Sequence, residues 1–254
     1  MAQKSIGEIK NEMQAACIHE LPAFIECYRE DERGGVQKLL ESARKKIEAL
    51  EKERLRCEAL KKYERMYQEY GLVCGIDEVG RGPLAGPVVA GAVILPKDCD
   101  ILYINDSKQL SEKKREELYD VIMEKAVACA VGYATPERID EINILQATYE
   151  AMRDAIGALG VKPEVLLNDA VTIPKVSIKQ VPIIKGDAKS ISIGAASIIA
   201  KVTRDRLMVQ YDSVFPEYDF AGNKGYGSAA HIDALKKYGP TPIHRRSFIK
   251  NFVD

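Results

Sequence analysis

The sequence predicts a layered α/β domain with a mixed sheet, preceded by an all-helical N-terminal region. Two observations support this fold class. Residues 1–70 contain no strand-like run, and the stretch 36–70 has neither Gly nor Pro. From residue 72 onward, short runs rich in Val, Ile and Ala alternate with longer helical patterns, which is typical of helices packed on a sheet. We therefore divide the chain into a helical extension, 1–70, and a main domain, 71–254.

The composition indicates a globular protein with a sizeable core. Of the 254 residues, 46% are hydrophobic and 30% are charged, and the formal net charge is −1. This balance excludes a global basic field, so any binding to nucleic acid must come from local clusters and bound metal ions. The six cysteines include no C-x-x-C pair, which favours reduced thiols. Since no apolar run is long enough for a membrane span, we expect a cytoplasmic protein with no membrane partner. We also expect the protein to be a monomer.

Three helices are predicted in the N-terminal region, at 5–14, 21–29 and 36–70. The apolar residues at the start of the third helix alternate in steps of four and three, which marks one helix face: Val36, Leu40, Ala43, Ile47 and Leu50. The stripe slips after Leu50, which argues against one continuous coiled-coil seam. We predict a small helical hairpin or bundle. The stretch 36–70 contains ten Lys or Arg residues and seven Glu residues. This charge fits either a solvated helix face or an auxiliary contact with nucleic acid or a partner.

The main domain begins with two strand-like runs on either side of a turn rich in Gly and Pro. Strands are predicted at 72–79, 88–95, 128–135, 164–167 and 181–184. Helices are predicted at 111–127, from residue 136, and at 146–159, 190–211 and 228–237. Ser111 is a suitable N-cap, Gly160 ends one helix, and Pro240 follows the last one. Small residues in the first half of 190–211 allow that helix to pack closely against the sheet.

Three of the predicted strands lead into acidic side chains, which are the candidate catalytic residues: Asp77, Glu78, Asp169 and Asp187. Ligand sites in layered α/β domains form at strand ends, so acids far apart in the chain can converge there. Converging carboxylates would raise one another's pKa, and two divalent cations would remove that penalty. Oxygen-only ligands favour Mg²⁺ or Mn²⁺, and two such ions are the usual clamp for displacement at phosphorus. Taken singly, Asp169 and Asp187 also fit polar residues that open loops.

A glycine-rich turn follows the first two acids. Gly80, Arg81 and Gly82 combine a backbone without Cβ atoms with a guanidinium group, so this turn can approach a nucleic-acid backbone closely. Metal-binding carboxylates beside exposed amides predict cleavage or transfer at a phosphodiester. Four cationic positions are candidate phosphate contacts, although ordinary surface charge explains each equally well: Lys108, Lys185, Lys224 and His231.

Most of the candidate residues fall in five ordered blocks within residues 72–249. The blocks are 77–87, Asp106-Ser107-Lys108 with Leu110-Ser111, Lys185-Gly186-Asp187 with 190–198, Gly225-Tyr226-Gly227 with His231, and His244-Arg245 with Ser247-Phe248. Together they resemble the ribonuclease HII family, the type 2 ribonucleases H. The resemblance implies a ribonuclease H-like fold, a mixed five-stranded sheet flanked by helices. It also implies an endonuclease that hydrolyses the RNA strand of RNA–DNA hybrids and incises 5′ of single ribonucleotides in duplex DNA, leaving 3′-hydroxyl and 5′-phosphate ends.

Carried over position by position, the acidic quartet of the family falls on Asp77, Glu78, Asp169 and Asp187. The element that reads the ribose 2′-hydroxyl falls on Gly80, Arg81 and Gly82, and the tyrosine that contacts the junction falls on Tyr226. Two features depart from the family pattern. Asn168 stands before the third acid, where an aliphatic residue is expected, and the family core does not require residues 1–70. Helical extensions of this kind occur in some bacterial members.

Two alternatives stay open at this level. A type 3 ribonuclease H resembles this family in its core, but it carries a sheet-containing N-terminal domain and usually a glutamate as its fourth acid. The helical extension and Asp187 both argue against it. A non-catalytic nucleic-acid-binding module, whose extension recruits partners, is the other alternative, and four intact candidate ligands argue against that one.

Overall fold

The computed structural model describes residues 4–253, which form two compact units, one ending at Glu58 and the other beginning at Ala59. The first unit contains helices α1 (Ile6–Ala15), α2 (Leu21–Cys27) and α3 (Gly34–Leu60). Seven buried side chains form its core: Ile9, Met13, Leu21, Phe24, Val36, Leu40 and Ala43. The predicted helical N-terminal region is confirmed, while the domain boundary at residue 70 stays a prediction.

The second unit carries five strands and seven further helices among the described residues. Its strands are β1 (Val73–Val79), β2 (Val88–Ile94), β3 (Ala128–Ala134), β4 (Val165–Asp169) and β5 (Lys179–Ile183). Its helices are α4 (Lys62–Tyr67), α5 (Glu112–Lys125), α6 (Pro136–Gly157), α7 (Ile191–Val214), α8 (Phe220–Asn223), α9 (Ala229–Tyr238) and α10 (Arg246–Ile249). In the part of the chain that the structure describes, no helix is long and apolar enough to cross a membrane.

The strands form one mixed sheet in the order β3-β2-β1-β4-β5. β1 pairs antiparallel with β2, and β2 pairs antiparallel with β3. β1 also pairs in parallel with β4, and β4 pairs in parallel with β5. The carboxyl ends of β1, β4 and β5 therefore lie at the same edge of the sheet, as expected for a site built from strand ends. The predicted mixed five-stranded α/β fold is confirmed.

Helices cover both faces of the sheet. Cys74 and Ile76 of β1 share a core cluster with Ala151 and Met152 of α6. On the other face α7 approaches so closely that a Cβ atom on Gly75 would lie 2.1 Å from the Ser192 carbonyl carbon. The glycine is needed there because any larger residue would push α7 away from the central strand. The small residues predicted at the start of α7 serve the same close packing.

Two predicted helices differ in detail. The predicted helix 36–70 is divided, because Lys61 leaves helical geometry between α3 and α4 and a 3₁₀ turn, Gln68–Tyr70, follows α4. The two helices predicted from residue 136 run together as α6, but Asn143 breaks them with φ 67° and ψ 162°. The Asn143 side chain accepts hydrogen bonds from the amides of Leu145 and Gln146, so it acts as the N-cap of the second segment.

Candidate active site

The four candidate acids lie at the strand ends. Asp77 and Glu78 belong to the last part of β1, and Asp169 is the last residue of β4. Asp187 lies in a 3₁₀ turn, Gly186–Ala188, that follows β5. The amide of Gly186 donates to Asp169 Oδ1 at 2.7 Å, which ties the third acid to the turn carrying the fourth.

The acids are close enough to change one another's protonation. Burial, with the charges of Glu78 and Asp169, raises the pKa of Asp77 well above its ordinary value, although a hydrogen bond from Ser197 opposes this. Burial also raises the pKa of Glu78, and Arg81 at 3.2 Å offsets part of that rise. The pKa of Asp187 is raised by burial and by the charges of neighbouring acids, Asp169 among them. These interactions place all four acids in one region.

This group of acids fits hard divalent cations. Raised pKa values mean that the ionised carboxylates are costly as they stand, and a cation would stabilise the charged forms. The donors are all oxygens, which suits Mg²⁺ or Mn²⁺. Within residues 4–253, no three His, Cys, Asp or Glu side chains are already arranged around a common point as metal ligands.

A fifth acid, Asp106, accompanies the quartet. After burial, its charge is the largest contribution to the raised pKa of Asp187. Its own carboxylate accepts a hydrogen bond from the amide of Lys108 at 2.9 Å. In the sequence, Asp106 belongs to a block with Lys108 and was not a candidate metal ligand. That block is the sequence signal that points to this acid. Lys108 is exposed and lowers the pKa of both Glu78 and Asp187, so its side chain lies near the acids.

Two buried arginines donate hydrogen bonds to the backbone carbonyls of the glycine-rich turn and the residues just after it. Arg245 donates to the carbonyls of Gly80, Arg81 and Gly86 at 2.5, 3.0 and 2.9 Å. Arg204 donates to the carbonyls of Ala85, Pro87 and Lys224 at 3.0, 2.9 and 2.8 Å. Both side chains are fully buried, and burial lowers the pKa of Arg245 to about 9. Arg204 was not singled out from the sequence, and Arg245 was noted only in the block His244-Arg245, because nothing local shows that the partners of these arginines are carbonyls far away in the chain.

Tyr226 lies over the glycine-rich turn. Its side chain is 44% exposed, and a Cβ atom on Gly82 would be 3.8 Å from Tyr226 Cε1. The ring and the exposed residues Arg81 and Gly82 therefore form one surface beside Glu78, which is bonded to Arg81. Gly80 has φ +90°, a conformation that favours glycine, so this turn depends on its residue type as well as on its partners.

His231 does not lie where the sequence suggested. We expected it to contact phosphate, but it is fully buried and therefore has no surface to offer. Its Nδ1 lies 2.8 Å from the Tyr226 carbonyl oxygen, and its Nε2 lies 3.0 Å from Nε2 of His244. The Thr241 amide donates to His244 Nδ1, so neutral His244 donates through Nε2 to His231, which in turn donates to Tyr226. Burial lowers the pKa of both histidines, that of His244 to about 4, which favours this neutral chain.

Three other expectations concern Lys185, Lys224 and Asn168. Lys185 is exposed in the loop just before Asp187 and adopts φ +57°. Lys224 is half-buried, and its carbonyl is bonded to Arg204. Asn168 is fully buried on the face of β4 opposite to Asp169, where its amide donates to the Val171 carbonyl. The unusual asparagine thus supports the loop after β4 and leaves Asp169 directed to the other face.

Known proteins resemble the chain over both units. A family model described as ribonuclease HII matches residues 74–251, and one described as the ribonuclease HII N-terminal domain matches residues 5–68. Ribonuclease HII of Lachnoclostridium phytofermentans is 68% identical over 248 residues, 98% of each chain. Ribonuclease HII of Clostridioides difficile is 51% identical over 255 residues, 100% of each chain. The solved ribonuclease H2 from Pyrococcus horikoshii OT3 matches with a TM-score of 0.59 and 32% identity, over 69% of this chain and 93% of that one.

Proposed function

Because the chain belongs to the ribonuclease HII family, it is a nuclease, and we propose that it hydrolyses RNA strands in RNA–DNA hybrids and nicks duplex DNA 5′ of single ribonucleotides. The products carry 3′-hydroxyl and 5′-phosphate ends. One observation carries this proposal: four acids, linked through the charge of Asp169, lie beside a glycine-rich turn whose exposed Gly82 adjoins Tyr226. The acids suit the chemistry at phosphorus, and the turn with Tyr226 suits recognition of a sugar.

The proposed metal ligands are Asp77, Glu78, Asp169 and Asp187. When bound, two Mg²⁺ or Mn²⁺ ions supply an activated water and stabilise the departing 3′ oxygen. Asp77 is the most buried of the four, 6% exposed, and it is oriented by Ser197. Ser197 is itself bonded to Ser107 at 2.9 Å, so a chain of hydroxyl groups holds this carboxylate in place. Arg81 favours the charged form of Glu78 and offsets part of the rise that burial causes in its pKa.

The proposed sugar-reading surface consists of Gly80, Arg81, Gly82 and Tyr226. An RNA nucleotide differs from a DNA nucleotide by a 2′-hydroxyl, which both donates and accepts a hydrogen bond. The carbonyls of Gly80 and Arg81 are bonded to Arg245. The exposed Arg81 and Gly82 therefore offer their amides and the Gly82 carbonyl, and the missing Cβ atom of Gly82 allows the ribose to approach. Lys108 and Lys185, both exposed beside the acids, are proposed to hold phosphates, which orients the duplex without reading its sequence.

Incubation with Mg²⁺ and three labelled duplexes tests the function directly. One duplex contains a single ribonucleotide in DNA, one is a long RNA–DNA hybrid, and one is DNA alone. We expect cleavage of the first two, with the nick 5′ of the ribonucleotide, and none of the third. Cleavage of the long hybrid alone would favour a type 3 activity instead. Binding without cleavage of any duplex would favour a non-catalytic module.

Replacing Tyr226 with alanine should selectively weaken cleavage at a single ribonucleotide. Base or sugar stacking on an aromatic ring contributes about 1–3 kcal/mol, so we expect roughly a 5-fold to 100-fold loss of kcat/KM on that duplex. Tyr226→Phe keeps the ring and separates stacking from the hydroxyl group. Tyr133→Ala removes another half-exposed tyrosine, on β3, and should leave kcat/KM unchanged. If Tyr226→Ala keeps the ratio of single-ribonucleotide to hybrid cleavage, Tyr226 does not read the junction.

The stabilising effect of Mg²⁺ should increase with pH. Asp77, Glu78 and Asp187 have pKa values raised above those of the unfolded chain, so the metal-free folded state binds protons more tightly. The contribution of these three groups to the free energy of unfolding is greatest at low pH. It falls as the pH rises through their raised pKa values. Mg²⁺ replaces those protons, so the rise in melting temperature on adding Mg²⁺ should grow as the pH rises above the ordinary carboxyl range and through the raised pKa values. An equal rise at every pH would contradict the proposed ligands.

A further inference from the structure

Glu64 connects helix α4 to the start of α7. Its Oε1 accepts hydrogen bonds from Ser190 Oγ at 2.5 Å, the Ser192 amide at 3.0 Å and Ser192 Oγ at 2.5 Å. Sequence reasoning placed Glu64 in the N-terminal extension, yet the compact unit that holds the sheet begins at Ala59. A carboxylate at a helix N-terminus is favourable because it accepts from free amides and complements the helix dipole.

The residues that Glu64 holds lead directly to the turn that carries Asp187. The Ser190 amide donates to the Gly186 carbonyl at 2.8 Å, and the Gly186 amide donates to Asp169. A Cβ atom on Gly194, one turn into α7, would lie 3.0 Å from the Asp187 carbonyl oxygen. The position of the start of α7 therefore determines where this turn can lie.

The connection has little freedom to adjust. Ser190 and Ser192 are buried, and the backbone at Ser192 lies directly against Gly75 of β1. Tyr63 and Tyr67 of α4 pack on a core cluster that includes Ile193. The Lys179 ammonium on β5 lies 5.2 Å from the ring centroid of Tyr67. α4 is therefore anchored on the sheet on both sides of Glu64, and this packing fixes the position of the Glu64 carboxylate.

We infer that Glu64 is a positioning residue for Asp187, so that α4 is part of the catalytic machinery. Its hydrogen bonds to Ser190 and Ser192 hold the start of α7, and α7 holds the Gly186–Ala188 turn at the distance from Asp169 that metal binding requires. This inference rests on the proposed role of Asp187 as a metal ligand.

Glu64→Ala and Glu64→Gln test the inference through metal affinity and kinetics. Loss of a group that orients a metal ligand typically reduces metal affinity or activity by about 10-fold to 100-fold. We expect Glu64→Ala to weaken Mn²⁺ binding, measured by electron paramagnetic resonance of the free ion, and to lower kcat by such a factor. KM for the duplex should stay within about twofold, since the glycine-rich turn is untouched. Glu64→Gln should recover most of both, because its amide oxygen can accept from the same three donors.

Thr135→Ala is the matched control, because Thr135 is the N-cap of α6 and accepts from the Arg138 amide. It removes a helix cap on the other face of the sheet and should leave Mn²⁺ affinity unchanged. If Glu64→Ala loses only thermal stability, as Thr135→Ala does, the inference is wrong. Should Glu64→Ala not fold, Glu64→Gln and Ser192→Ala carry the test, and the inference requires weaker Mn²⁺ binding in Ser192→Ala. Full activity of Asp187→Asn would instead overturn the proposed ligand itself, which separates the two failures.

Discussion

Asp77→Asn should abolish cleavage while the protein stays folded. Asp77 is the most buried of the four acids and interacts with both Glu78 and Asp169. The amide keeps the shape of the side chain but removes the charge that a cation requires. Loss of one preorganised electrostatic contact to the transition state commonly costs about 10²–10³-fold in kcat. We expect at least that loss with either Mg²⁺ or Mn²⁺, since both ions need the same carboxylate.

The same substitution should not destabilise the metal-free protein. Burial raises the pKa of Asp77, so its ionised form is unfavourable in the folded state at neutral pH. A neutral amide removes that cost, and we expect the melting temperature without metal to be equal to or higher than that of the wild type. The additional stabilisation by Mg²⁺ should shrink, because a ligand stabilises the folded state in proportion to how tightly it binds.

Single-turnover cleavage and thermal unfolding, each with and without Mg²⁺, measure both effects. Asp120→Asn, on the exposed face of α5, is the matched control and should behave as the wild type in both assays. Mg²⁺-dependent cleavage by Asp77→Asn at a rate near that of the wild type would refute its assignment as a metal ligand. A large fall in the metal-free melting temperature would contradict the electrostatic account of its burial.

Replacing Arg245 should have the second largest effect, on both stability and selectivity. Its guanidinium group supplies the hydrogen bonds for three carbonyls of the glycine-rich turn. Each buried carbonyl left without a donor costs about 1–3 kcal/mol. The carbonyls of Gly80 and Gly86 are bonded in buried positions, so Arg245→Ala should lose at least about 2 kcal/mol in the free energy of unfolding. The turn would also lose its position relative to Tyr226, and discrimination between RNA and DNA should fall with it.

Arg245→Lys separates these two effects. An ammonium group is compact and cannot span three carbonyls as the planar guanidinium does, so we expect a folded protein with reduced selectivity for a ribonucleotide. Urea unfolding gives the stability, and cleavage of the single-ribonucleotide duplex relative to DNA alone gives the selectivity. Arg246→Ala, an exposed neighbour, should change neither. If Arg245→Lys keeps full selectivity, the arginine stabilises the fold without shaping the recognition surface.

Local sequence patterns were sufficient to predict most secondary-structure elements and to place candidate acids at the strand ends. The short runs of Val, Ile and Ala that became β1, β2 and β3 could be identified because alternation and turn residues are visible within a few positions. The same reasoning placed Asp77 and Glu78 at the end of a strand. It anticipated that Asp169 and Asp187 would join them, because parallel strands bring their carboxyl ends to one edge. The metal-binding role of these four residues stays a prediction.

Only the tertiary structure decided which polar side chains face the substrate and which support the site from within. A histidine or an arginine looks the same in the sequence whether it is exposed or buried. His231 was therefore expected to contact phosphate, and Arg245 was noted in a motif without its role in supporting the glycine-rich turn. The partners of Arg245 lie 159 to 165 positions away in the chain, and those of Glu64 lie 126 to 128 positions away. Secondary structure follows from short-range preferences of the backbone. Hydrogen bonds that reach across the whole chain exist only after the sheet and its helices have packed.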